Sequence, residues 1–371
     1  MKDTKERISF AGYRLLMGAA ALVIVVAGLT AARAILAPFM FALLVAIVGV
    51  GPVYWLQEKK VPGPLAAVFV TVVIAGLVFG AGTLLANSIS HLIDILPKYQ
   101  EPFQSLLETV EGYLKRFGFV LPETGTEVNA GMVVELVGNL LKGLMRLFSS
   151  SATAIVIAVF LLFEATDYRH KLRSALDESV DVDRLERVAH DVQRYLLVKS
   201  VTSAITGLAV FLMCFAIGVE LPMLWGLLAF LLNYIPVVGS IIAAVPALLL
   251  ALVQLSFVQV GVLAIGYIVI NTGVSNFLEP TMMGRQLGLS PLVVFLSLVF
   301  WGWVWGPIGM LLSVPITMLI KILLENSDDL RWVAILMDAR RNRPGDRRTL
   351  ETDPAKERAG RQTEGESAES A

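Results

Sequence analysis

The amino-acid sequence predicts an all-α, polytopic integral membrane protein of about eight membrane segments, and three observations lead there. Hydrophobic residues make up 56% of the 371-residue chain and charged residues only 16%, which is more apolar surface than a water-soluble core can hide. The charges nearly cancel, to a net −1, yet they are confined to a few short stretches between long uncharged runs, as bilayer partitioning demands. Those runs lie near the roughly 20 helical residues needed to cross about 30 Å of hydrocarbon.

Taken in order, Leu15 to Thr30 and Ile35 to Leu56 are apolar segments split by Arg33 and Pro38, and they read as a transmembrane hairpin. Leu65 to Ala86 is a third span, with Gly76 and Gly80 at the spacing that lets helix backbones approach closely. Residues 88–149 change character: charges and prolines flank two stretches of helical periodicity, so this region is expected to be a helical insert outside the bilayer. Ala152 to Phe163 is a fourth apolar segment. The charge-dense stretch from Asp167 to Lys199 follows, read as an amphipathic helix on the membrane surface. Val201 to Val219 and Val260 to Asn276 are further spans. Five regions result: 1–87 with the first spans, the insert at 88–149, the fourth span and surface helix at 150–199, a core at 200–324, and a C-terminal helix and disordered tail at 325–371.

Lys and Arg set the orientation. Lys2, Lys5, Arg7 and Arg14 precede the first span, Lys59 and Lys60 follow the second, and Arg169, Lys171 and Arg173 follow the fourth. All fall on one side, which the positive-inside rule makes cytoplasmic, together with both termini.

Two uncharged stretches, Leu221 to Leu255 and Leu287 to Ile320, are long for one span and short for two, and both are interrupted near the middle. The first break runs from Asn233 and Tyr234 through Pro236 to Gly239; the second contains Gly306, Pro307 and Gly309. Proline removes a backbone donor and glycine loosens the helix, so peptide groups are freed at membrane depth, where only protein or a watery cavity can satisfy them. A similar pattern of small and apolar residues then leads to Pro246 in one stretch and Pro315 in the other. Two re-entrant helical hairpins in inverted orientation are therefore expected, an architecture that places substrate sites near the bilayer centre. Kinked continuous spans are the simpler alternative.

Polar residues near these breaks are the candidate pathway, because a polar group in hydrocarbon is costly unless it is partnered or functional. They are Asn233 and Tyr234 at the first break, Asn271, Asn276 and Glu279 at the end of one span, and Arg285 as a partner for Glu279. Pro236, Gly239, Pro307 and Gly309 would shape the two openings.

These same residues carry a resemblance. The stretch LNYIPVVGSIIAAVPALLLALVQ around Asn233, and NFLEPTMMGRQLGLSPLVVFLSLVFWGWVWGPIGMLLSVP from Asn276 to Pro315, resemble the autoinducer-2 exporter family of bacterial membrane proteins. The matching features are Asn233, Pro236 and Gly239; Glu279, Pro280, Met283 and Gly284; and Leu289, Pro291 and the Gly309 to Pro315 element. The resemblance implies a secondary transporter in the bacterial inner (plasma) membrane that exports a small polar signal such as autoinducer-2 and so serves quorum sensing. It also allows Na+/H+ antiport, and it implies a homo-oligomer.

Other classes fit the residues less well. No GxxxxGK[ST] loop occurs, which argues against an intrinsic ATP-driven pump, and no HExxH or GxSxG arrangement supports an enzyme. With 3 histidines and 1 cysteine, Cys214 lying in an apolar run, neither a metal site, a cofactor nor a catalytic residue is expected. The small net charge gives no reason for a nucleic-acid partner. The expected partners are the lipid bilayer and a small polar solute or monovalent cation, with an oligomeric scaffold or channel as the remaining alternative.

Overall fold

The computed structural model describes residues 2–99, 153–164, 182–236, 238–283, 288–325 and 330–338, with isolated positions 101, 104–105, 116, 138 and 143 between them. Among the described residues the chain is helical, and the one β contact is an isolated bridge between Leu289 and Asp338. Five helices are long and apolar enough to cross a membrane: Arg33–Glu58, Gly63–Leu92, His190–Ile217, Phe257–Met283 and Pro307–Glu325. Shorter apolar helices accompany them at Leu16–Ala31, Thr153–Glu164, Pro222–Leu232, Val238–Gln254 and Pro291–Trp305. The chain is an all-α multi-pass membrane protein. The expected tail from residue 339, the charged stretch 165–181 and most of the insert lie outside the described residues.

Helices α1 (Lys2–Ala31) and α2 (Arg33–Glu58) are separated by Ala32 alone. Helix α3 (Gly63–Ile95) follows and ends in a tight turn at Leu96–Tyr99. Helix α4 (Thr153–Glu164) seats Ala154 and Ala158 on Ala42 and Val45 of α2, while Leu162 enters a cluster with Ala46, Ala66 and Ala67. Small residues dominate these seams because van der Waals contact is the main attraction between helices in lipid. Gly76 and Gly80 do not join them: nothing among the described residues stands within 4 Å of where a Cβ would project at either.

Helix α5 runs unbroken from Val182 to Ile217. The sequence reading placed a surface helix before a separate span beginning at Val201, but the two are one element. The apolar stripe of the charged stretch, which includes Val192 and Leu196, continues in phase into the span and packs on Leu289, Val314 and Met318.

Helices α6 (Pro222–Leu232) and α7 (Val238–Gln254) form the first hairpin. Helix α8 (Phe257–Gly273) passes through a π-helical turn at Val274–Leu278 into α9 (Glu279–Met283). Helices α10 (Pro291–Trp305) and α11 (Pro307–Glu325) form the second hairpin, and α12 (Arg331–Met337) follows. Local chemistry sets the starts. Pro222 and Pro291 occupy first helical turns, where no amide hydrogen is needed. Ser290 caps α10, and Ser256 with Gln259 forms a capping box on α8.

Both hairpins double back so that their ends meet. The Glu220 amide donates to Gln254 Oε1 at 3.0 Å, and Lys321 Nζ donates to the Gly288 carbonyl at 2.6 Å. A straight helix would hold residues so spaced about 50 Å apart. Trp301 Nε1 also reaches Thr317 Oγ1 at 3.3 Å across the second hairpin. Kinked continuous spans are thus ruled out. The first hairpin opens beside the C-terminal end of α5, where Gln259 Nε2 donates to the Ile217 carbonyl. The second opens beside the N-terminal part of α5, where Leu289 and Met318 pack on Val192, Tyr195 and Leu196. The two hairpins therefore point in opposite directions along one helix.

Candidate functional site

The hairpin tips are built alike. A Cβ at Gly239 would run into the Leu232 carbonyl and sit 3.1 Å from Ile235 Cβ; one at Gly309 would run into the Trp301 carbonyl and sit 3.2 Å from Trp305 Cβ. Glycine is required at both because the second arm restarts against the last turn of the first. At the first tip the chain leaves helical geometry at Asn233 and resumes it at Val238. At the second, Gly306 alone makes the turn, with φ +68.

The openings satisfy part of their own backbone. The amides of Asn233, Ile235, Val238 and Gly239 bond to the carbonyls of Ala229, Leu232, Pro236 and Ile235. Gly306 and Met310 bond to Gly302 and Gly306 in the same way. Pro236 and Pro307 have no amide hydrogen to satisfy, while among the described tip residues the amides of Tyr234, Ile308 and Gly309 make no backbone bond within the tips.

The tips share a cavity of about 570 Å³. Tyr234 and Ile235 line it from the first hairpin, Pro307, Met310 and Leu311 from the second, and Ser200 from α5. The remaining described wall comes from Phe230, Leu231, Leu232 and Ile242 of the first hairpin, from apolar side chains in the middle of α2 and α3, and from Gly143. Tyr234 packs edge-on against Phe230, centroids 5.9 Å apart, and donates to Ser200 Oγ at 2.8 Å. Asn233 is turned away from the cavity and buried, with Nδ2 donating to Ser203 Oγ at 3.0 Å.

Directly behind Ser200 lies an ion pair inside the helix bundle. Lys199 Nζ stands 3.1 Å from both Glu279 carboxylate oxygens, and the side chains are only 7% and 17% exposed. Two features aim Glu279 there. Pro280 supplies no amide for Asn276, and the π-turn brings the Glu279 amide to Val274 O, five residues back, rotating the carboxylate toward α5. Arg194 Nη2 donates to Met282 O at 3.4 Å and fixes the same junction.

Of the polar residues expected at the site, Asn233, Tyr234 and Glu279 are gathered around the middle of α5, at Lys199, Ser200 and Ser203. Asn271 is not: its side chain bonds to Tyr267 O on its own helix at 2.9 Å. Asn276 is exposed on the outer face, because the π-turn breaks the helical register that would have placed it beside Glu279. Arg285 lies outside the described residues, and the cation found on Glu279 is Lys199. Sequence reasoning missed Lys199 by assigning it to a solvated surface. The available signal was its position immediately before Ser200, where the long uncharged run begins.

The chain is similar to known transport proteins. The chain is 37% identical over 335 residues to a putative transport protein of Haemophilus influenzae, covering 88% of this chain and 96% of that one. It is 35% identical over 337 residues to the AI-2 transport protein TqsA of Escherichia coli, covering 90% and 98%. It is also 34% identical over 329 residues to the putative transport protein YhhT of the same species, covering 88% and 94%. Residues 19–329 match the family described as AI-2E family transporter, and with that match the chain is placed as a member of the AI-2E family of transporters.

Proposed function

We propose that this chain is a secondary transporter of the bacterial inner membrane that passes a small organic solute through the space between its hairpin tips. The observation that carries the reading is the pair of oppositely directed hairpins whose tips line one cavity. Broken helices of inverted orientation meeting within the bilayer are the means by which several transporter folds hold a solute and alternate its access. The Lys199–Glu279 pair is the coupling element. An intramembrane carboxylate neutralised by lysine can take a proton or a cation only by releasing that lysine, which would loosen α9 from α5.

The name of the Escherichia coli relative makes autoinducer-2 the first solute to test. Everted vesicles containing the protein should accumulate labelled autoinducer-2 when a proton gradient is imposed, and Glu279→Gln should abolish the gradient dependence. Uptake that is independent of both gradient and variant would sink the coupling role.

Na+/H+ exchange is the second reading, favoured by Glu279 as a carboxylate inside the bundle. Acridine-orange dequenching on Na+ addition, absent in Glu279→Gln, distinguishes it from solute export. Absence of any flux would leave the scaffold alternative, and passive flux without coupling would favour the channel. The N- and C-termini are assigned to the cytoplasm, which cysteine accessibility at Lys2 or Lys60 would check.

A further inference from the structure

The last described helix turns an apolar side away from the protein. On its inward side, Ala334 of α12 is only 1% exposed and Met337 packs on the cluster of Leu289, Val314 and Met318. On its outward side, Trp332 and Leu336, one helical turn apart, are 61% and 68% exposed, and Ile335 is exposed beside them. Arg331 is exposed on the same side. A surface helix bathed in water carries polar side chains on that face.

The place of α12 in the fold says what covers it. Residues 326–329 are all that separates Leu330 from Glu325, the end of membrane-crossing α11, and five Cα steps reach no more than about 18 Å. The face is therefore within reach of the bilayer surface, where tryptophan is enriched and amphipathic helices bury such faces in the headgroup layer. Three apolar side chains on a 7-residue helix fall well short of the roughly 800 Å² per partner that a stable protein interface buries. The sequence that follows is basic: residues 339–348 hold 5 arginines against 1 aspartate, a composition that is drawn to anionic headgroups.

What the helix holds is the mouth of the second hairpin. Met337 O accepts the Ser290 amide at 2.9 Å, Asp338 bridges to Leu289, and Asp338 Oδ1 stands 3.7 Å from the Lys321 Nζ that donates to Gly288 O. We infer that α12 is a membrane-surface clamp: Trp332, Ile335 and Leu336 seat in the headgroup layer of an anionic leaflet, and that seating keeps Met337 and Asp338 on the mouth of the second hairpin.

Full-length protein in nanodiscs of phosphatidylcholine, or of phosphatidylcholine mixed with phosphatidylglycerol, tests this. Phospholipids bearing a diazirine beside the headgroup should form adducts on the peptide Arg331–Met337. The Ser290 amide should exchange hydrogen about tenfold more slowly in the mixed discs, since each basic residue near such a surface adds to its hold. Trp332→Asn combined with Leu336→Asn leaves the packed side of α12 intact; it should remove the adducts and return Ser290 exchange in the mixed discs to the rate in phosphatidylcholine, with the amides of α6 unchanged. Absence of lipid adducts on that peptide, the result expected were a second copy of the chain seated there, would overturn the lipid assignment. Adducts accompanied by equal Ser290 exchange in the two lipids would overturn the clamp.

Discussion

Lys199 and Glu279 are 80 residues apart in sequence, yet the ammonium of one sits 3.1 Å from each carboxylate oxygen of the other. This pair joins the long helix α5 to the junction that follows the π-turn. It is the main buried electrostatic commitment described in the core. Its value depends on both members being present, because a lone charge left in this environment has no water to replace its partner.

Lys199→Met or Glu279→Gln should therefore each destabilise the protein by about 3–5 kcal/mol. Joint replacement of both residues by methionine should restore most of the loss in thermal melts monitored in detergent. Transport should stay absent in the double variant. Recovery of gradient-driven flux along with stability would show that the pair is structural only.

Gly239→Ala and Gly309→Ala should each cost roughly 1–3 kcal/mol or more, because the new methyl group meets a backbone carbonyl that cannot move away without opening the tip. Gly76→Ala is the control. Its methyl group meets nothing within 4 Å, and the substitution should stabilise α3 by up to about 1 kcal/mol through helix propensity. Melting temperatures of the three variants, measured side by side, check the contrast.

Lys321 closes the open end of the second hairpin, bonding to Gly288 O and standing 3.7 Å from both Glu325 and Asp338. Lys321→Met should leave the Gly288 carbonyl unsatisfied, at about 1–3 kcal/mol. It should also loosen α12, whose last residue accepts the Ser290 amide at 2.9 Å. Hydrogen exchange should show the Ser290 amide losing protection while the amides of α6 keep theirs.

Tyr99, beyond the end of the third span, has its phenol held above the ordinary value of 10.0 by burial first and then by Glu220, against a smaller opposing effect of Gln254. The folded state thus favours the protonated phenol. Its contribution to stability is complete below about pH 10 and is lost as pH rises through the higher folded value. A pH series of melts should show wild type declining in that alkaline range more steeply than Tyr99→Phe; parallel curves would remove Tyr99 from the account.

The hairpins were legible because proline and glycine interrupt otherwise uncharged sequence, and few other folds tolerate that within a membrane. The inverted arrangement could be anticipated from the paired Gly239 and Gly309 elements. Asn271 and Asn276 stand apart from the cavity for a physical reason: intramembrane polarity flags a cost, and a helix can meet that cost locally, as Asn271 does on Tyr267, or by facing outward, as Asn276 does. Lys199 escaped notice because a charge beside other charges reads as solvated, whereas the fold draws the last of them into the bundle. The π-turn that aims Glu279 left only Pro280 as a trace, and one proline does not specify a change of helical register. The apolar lining of the cavity was hidden for another reason, since it is assembled from α2, α3, α6 and α11 and belongs to no single stretch.

The bonds that fasten each hairpin join residues only 34 and 33 positions apart. Closing a loop of that length costs only slightly more entropy than closing one half as long. Each hairpin can therefore mature soon after its own second arm leaves the ribosome, before the C-terminal residues are made. Biogenesis then includes docking two locally closed parts onto α5, and the Lys199–Glu279 contact, both of whose members precede the second hairpin in the chain, needs neither arm of that hairpin.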